Sequence, residues 1–117
     1  LHDDFVSLGI DEIYCISGND AFVMNAWRID QNIQKVKLIP DGNKYFTYQM
    51  GMLVDKSNLG FGHRSWRYAM VVDNKVIEKL FVEPGMRDKA DTDPYEETTP
   101  EKVLEYVKST VRELASV

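Results

Sequence analysis

The sequence predicts an α/β fold, and three observations carry that expectation. A continuous apolar run, Ile13-Tyr14-Cys15-Ile16, is followed by turn residues and an amphipathic helix. Two further apolar runs flank the tight polar turn Asp73-Asn74-Lys75, and an amphipathic helix that starts on a proline closes the chain. Strands and helices therefore alternate along 117 residues in the order α, β, α, β, α, β, β, α, with no internal repeat and no domain boundary.

Each element has its own warrant. Leu1, Phe5 and Leu8 fall at helical spacing, and Gly9 stands where a helix commonly ends in a left-handed residue. Ile10 to Ser17 reads as a central strand buried on both faces, because its apolar residues are consecutive rather than alternating. Gly18-Asn19-Asp20 supplies a turn and a cap for a helix that runs to about Gln31, marked by Phe22, Val23, Ala26, Trp27 and Ile29. Val36 to Ile39 is a second short strand, Pro40-Asp41-Gly42-Asn43 a loop, and Lys44 to Met50 a short helix. Leu53 to Gly62 has no clear period and reads as a loop. Trp66 to Val72 and Val76 to Val82 form an antiparallel hairpin around Asp73-Asn74-Lys75. Glu83 to Thr98, with Pro84, Gly85, Pro94 and the carboxylates Asp88, Asp91, Asp93, Glu96 and Glu97, reads as a solvated loop. Thr99 then caps a last helix with Pro100 at its first position and Val103, Leu104, Val107, Val111 and Leu114 on its apolar face.

Composition narrows the function classes. With 44% hydrophobic, 28% charged and 11% aromatic residues, the chain has the makeup of one globular domain, residues 1–117, that buries a core. A net charge of -5 and a pI near 5.0 argue against a nucleic-acid backbone or an anionic membrane as partner. No apolar run approaches a bilayer span of about 20 residues. Cys15 is the one cysteine, so an intrachain disulfide and an all-cysteine zinc site are excluded, and a reducing, cytoplasmic location is expected. Two histidines, His2 and His63, support neither a metal site nor a cysteine-histidine dyad, and no metal is expected.

Candidate residues follow from the same reading. Cys15 lies within a strand, away from any helix amino terminus or positive charge, and is expected to be a structural core residue rather than a nucleophile. Gly18-Asn19-Asp20 has neither the three glycines of a dinucleotide fingerprint nor a following lysine-serine pair, so nucleotide binding is not expected. Gly60-Phe61-Gly62-His63-Arg64-Ser65-Trp66-Arg67 delivers two arginines and an aromatic pair to the start of an apolar strand, and arginine there suits a negative group. Arg64 and His63 read as surface or interface residues.

That run, together with Ser17-Gly18-Asn19-Asp20-Ala21-Phe22-Val23-Met24, resembles the peroxiredoxins of the type-five-like, glutathione- or glutaredoxin-dependent group in the redoxin family. Gly18 stands where a valine is more usual in that group. The resemblance covers nearly the whole chain and implies a thioredoxin-like, three-layer α/β/α sandwich lacking its first strands. It implies a thiol peroxidase without an organic cofactor, acting on hydrogen peroxide and alkyl hydroperoxides, recycled through one cysteine by glutathione or glutaredoxin. Arg67 would be the catalytic arginine that hydrogen-bonds thiolate and peroxide. Phe22, Val23, Leu59 and Phe61 would belong to a homodimer interface, with Phe22 and Phe61 also shielding the active site and Trp27 partly in the core. The family's Pro-x-x-x-Thr-x-x-Cys signature, which places a thiolate at a helix amino terminus, is absent from these residues, so the chain reads as a fragment, inactive alone. The alternatives are a noncatalytic thioredoxin-like dimerisation or binding module and a flavodoxin-like ligand-binding domain; the terminal hairpin counts against the latter.

Overall fold

A computed structural model describes residues 2–90 and 92–115, with side chains described to position 109. Leu1 and Asp91 lie outside the described residues, as do the side chains of Val111 and Leu114. The chain divides into two compact units: residues 1–11, 67–84 and 94–117 form one, and residues 12–66 and 85–93 the other.

In the first unit, helix α1 (His2–Ser7) ends as the glycine placement predicts, with Gly9 at φ +96°. The hairpin β5 (Tyr68–Asp73) and β6 (Val76–Val82) turns on Asn74 and Lys75, both at positive φ, which matches the right-handed twist of the strands. Val71 pairs Lys79 while Val72 pairs Ile77, leaving Glu78 as the extra residue of a bulge. Helix α4 (Pro100–Ala115) starts on its proline. Thr99 caps it, its carbonyl accepting from the Val103 amide at 3.2 Å and its hydroxyl from the Lys102 amide at 3.4 Å. Leu104 and Val107 of α4 are buried, as is Phe5 of α1, and the two helices touch.

In the second unit, β1 (Tyr14–Ser17) pairs in parallel with β2 (Lys37–Pro40), from Tyr14 opposite Lys37 to Ser17 opposite Pro40. Helix α2 (Ala21–Asp30) crosses between them, capped by Asp20, whose carboxylate accepts from the Val23 amide at 2.8 Å. Helix α3 (Tyr45–Gln49) is anchored by Asp41, whose carboxylate accepts from the Thr47 amide at 2.8 Å and the Phe46 amide at 3.3 Å. Burial opposes the charge on Asp41, and the Thr47 hydroxyl and these amides outweigh it, so its pKa falls below the usual value. Met24, Met52, Val54, Trp66 and Ala90 are buried together with the Thr47 hydroxyl side chain.

Several sequence expectations need correction here. The strand expected over Ile10 to Ser17 starts at Tyr14, and Tyr14 is 52% exposed. Among the described residues β1 has one strand neighbour, and Cys15, Ile16 and Ser17 are half-buried rather than buried. The loop expected over Leu53 to Gly62 contains β3 (Leu53–Asp55), which pairs antiparallel with β4 (His63–Ser65), and a 3-10 turn over Ser57–Leu59. Three-residue strands are too short to show a period and form because each residue's partner lies eight to twelve residues away (Leu53 opposite Ser65 to Asp55 opposite His63). Trp66 and Arg67 stand between β4 and β5 rather than inside a strand. Glu83 to Thr98 is not a uniformly solvated loop: Glu83 is 1% exposed, Ala90 is fully buried, and Asp88 accepts from the Asp55 amide at 2.9 Å.

Candidate functional site

Arg67 enters from the residue before β5, and its own carbonyl accepts from the Glu83 amide at 3.3 Å, one step beyond the last paired residues of the hairpin. Its half-buried side chain reaches the 94–98 segment. Nη1 donates to the Pro94 carbonyl at 3.1 Å, and the guanidinium carbon lies 4.8 Å from the centre of the Tyr95 ring. A planar cation with one edge on a carbonyl and one face on an aromatic ring is held in orientation.

Glu83 holds that segment in place. Its carboxylate accepts from three consecutive amides: Glu96 at 2.7 Å, Glu97 at 3.0 and 2.8 Å, and Thr98 at 2.7 Å. Burial alone would raise its pKa, and the hydrogen bonds from Glu97, Glu96 and Thr98 reverse that, lowering it to about 2. Sequence reading missed Glu83 because an acidic residue followed by proline resembles a loop start. Its partners lie 13 to 15 residues away, beyond any local pattern.

In the other unit Arg64 does more than line a surface. It donates from Nε to the Phe61 carbonyl at 3.0 Å and from Nη1 to the Asn19 side chain, with the Gly18 carbonyl at 3.5 Å. Asn19 in turn donates to the Ser17 hydroxyl at 2.7 Å. Arg64 thus ties the segment bearing Phe61 to the loop that precedes α2, where Phe22 and Val23 sit. A Cβ on the buried Gly18 would come within 3.1 Å of Lys44 Cε, so the glycine makes room for that stem. Phe22 is 87% exposed, and Val23, Leu59 and Phe61 are also exposed, which leaves an apolar surface on this unit. Trp27 of α2, expected partly in the core, is 41% exposed.

Cys15 is half-buried in β1, and burial pushes its thiol pKa up. That is opposite to what a nucleophilic thiol requires at neutral pH.

Residues 1–97 match the redoxin family model. The chain belongs to the redoxin family. It is 55% identical over 109 residues to a peroxiredoxin of Rhizobium etli, covering 93% of this chain and 61% of the relative. It is 52% identical over 109 residues to peroxiredoxin y4vD of Sinorhizobium fredii, covering 93% of this chain and 58% of that protein. Among solved structures, the Plasmodium falciparum antioxidant protein, a 1-Cys peroxiredoxin, superposes with a TM-score of 0.88 at 42% identity, covering 92% of this chain and 63% of that one. The expected thioredoxin-like α/β fold is therefore the fold of this redoxin chain, which spans about three fifths of the length of these relatives. Among the described residues of the chain, no helix is long and apolar enough to cross a membrane.

Proposed function

We propose that this redoxin chain, as one domain over residues 1–117, is part of a thiol peroxidase that reduces hydrogen peroxide and alkyl hydroperoxides, with Arg67 as a catalytic residue. The observation that carries the reading is the held guanidinium of Arg67, fixed between the Pro94 carbonyl and the Tyr95 ring in a chain of this family.

The chemistry asks for a thiolate that attacks one peroxide oxygen. The S–O bond forms as the O–O bond breaks, and the departing oxygen takes a proton to leave as water or alcohol. Negative charge moves from sulfur onto the departing oxygen, and guanidinium donors aimed at both stabilise that redistribution more than they stabilise the free peroxide. Cys15 is unsuited to the attack, since its thiol is disfavoured as an anion and it lies within a strand. In this reading the attacking cysteine is that of the Pro-x-x-x-Thr-x-x-Cys segment that the family resemblance implies, a run these 117 residues do not contain, and the chain alone is expected to be inactive. The resulting sulfenic acid condenses with an external thiol, releasing water, and a second thiol restores the cysteine. Glutathione or glutaredoxin fits this one-cysteine cycle, in a homodimer built on Phe22, Val23, Leu59 and Phe61 and located in the cytoplasm.

The test is peroxide consumption by the full-length gene product with glutathione and glutaredoxin as reductant. Arg67→Ala is expected to lower kcat/KM by roughly 100- to 1,000-fold, the usual cost of removing one transition-state donor. Absence of turnover, or an Arg67→Ala protein as active as the parent, refutes the reading and leaves a noncatalytic module presenting exposed aromatics.

A further inference from the structure

Three consecutive amides converge on one buried carboxylate, and their place in the chain is informative. They belong to Glu96, Glu97 and Thr98, immediately after Pro94 and Tyr95, both of which contact Arg67. Pro94 supplies the carbonyl to Nη1, and Tyr95 supplies the ring face. Glu83 is also bonded to Arg67 through the backbone, its amide donating to the Arg67 carbonyl at 3.3 Å. One residue thus grips both the strand end from which the arginine projects and the segment on which its side chain rests.

We propose that Glu83 is a positioning residue for Arg67: by fixing residues 96–98 it sets Pro94 and Tyr95, and through them the direction in which the guanidinium points. The proposal rests on the reading of Arg67 as the peroxidase guanidinium. Glu83 touches neither substrate nor thiol in this scheme. It acts by removing the freedom that a cation on a three-methylene stem otherwise has, so that its donors meet the transition state without reorganisation.

Glu83→Gln keeps the size of the side chain but turns an NH2 group toward amides that need an acceptor. In the full-length gene product it is expected to lower kcat/KM for hydrogen peroxide about tenfold, a cost typical of slight misplacement at a reacting centre. In an Arg67→Ala background the same change is expected to cost less than about twofold, because the residue it positions is gone. Equal losses in both backgrounds, or no loss in the parent, overturn the proposal. Should Glu83→Gln fail to fold by circular dichroism, Tyr95→Leu removes the ring while keeping the Glu83 hydrogen bonds. It is expected to lower kcat/KM in the same direction, and an unchanged value overturns the proposal.

If Arg67→Ala leaves turnover intact, the peroxidase reading falls and a second readout decides positioning. With the Arg67 guanidinium carbon 4.8 Å from the centre of the Tyr95 ring, the Nε–H proton is expected to carry a ring-current shift in NMR spectra. Glu83→Gln is expected to move it toward its random-coil position, and an unmoved signal overturns the proposal whatever the turnover.

Discussion

Replacing Glu83 with alanine is expected to be among the most destabilising single changes in the first unit. The carboxylate accepts four hydrogen bonds from three amides while only 1% exposed. Hydrogen bonds to a charged group contribute about 1.5–3 kcal/mol each, and a buried amide left unpaired costs about 1–3 kcal/mol. The amides of the exposed residues Glu96 and Glu97 recruit water once the loop relaxes, so the Thr98 amide carries most of the penalty. A net loss of about 3 kcal/mol follows.

The pH dependence gives an independent check with a definite sign. The folded pKa of about 2 lies below the ordinary 4.5, so the unfolded chain binds the proton more readily. The stabilisation is complete above pH 4.5 and is lost as pH falls toward 2. At pH 3 the two pKa values imply a loss of at most about 2 kcal/mol relative to pH 7. Urea unfolding followed by circular dichroism at pH 7, 5 and 3 measures both effects. Relative to the parent, Glu83→Ala should lose about 3 kcal/mol at pH 7 and proportionally less at pH 3, as the parent surrenders the same interaction. A midpoint at pH 7 within about 0.5 kcal/mol of the parent, the ordinary range for surface changes, refutes the reasoning, as does a constant difference across pH.

Arg64→Ala should cost about 1–2 kcal/mol by releasing the Asn19 and Phe61 contacts, and amide exchange at Gly18 to Asp20 should quicken; unchanged exchange there contradicts the tie. Lys75→Gly should stabilise the hairpin by about 0.5–1 kcal/mol, since Lys75 holds φ +68° where glycine is unstrained, and an unaltered thermal midpoint counts against that turn geometry. Phe22→Asp should weaken self-association of the full-length gene product by at least about tenfold in sedimentation if the 87% exposed ring sits in a dimer interface. Identical sedimentation at matched concentration removes Phe22 from it.

Much of the fold was legible because its signals are local. Gly9 ending α1, Asp20 capping α2, Pro100 opening α4 and the two-residue turn at Asn74-Lys75 act over four residues or fewer. The redoxin family was legible through the motif that contains Arg67. The short pair β3 and β4 was not, because three residues carry no period and gain their hydrogen bonds only when Leu53 meets Ser65.

The amino-acid sequence by itself determined the four helices, the terminal hairpin and the redoxin family. Those properties rest on side-chain type and spacing, which persist in the unfolded chain. Only the tertiary structure decided that Glu83, in a stretch that reads as solvated, is buried and ionised, and that the Tyr95 ring faces Arg67. A carboxylate cannot be recognised as a loop anchor until folding brings the amides of residues 96–98 to it, because the same side chain in water would bond the solvent instead.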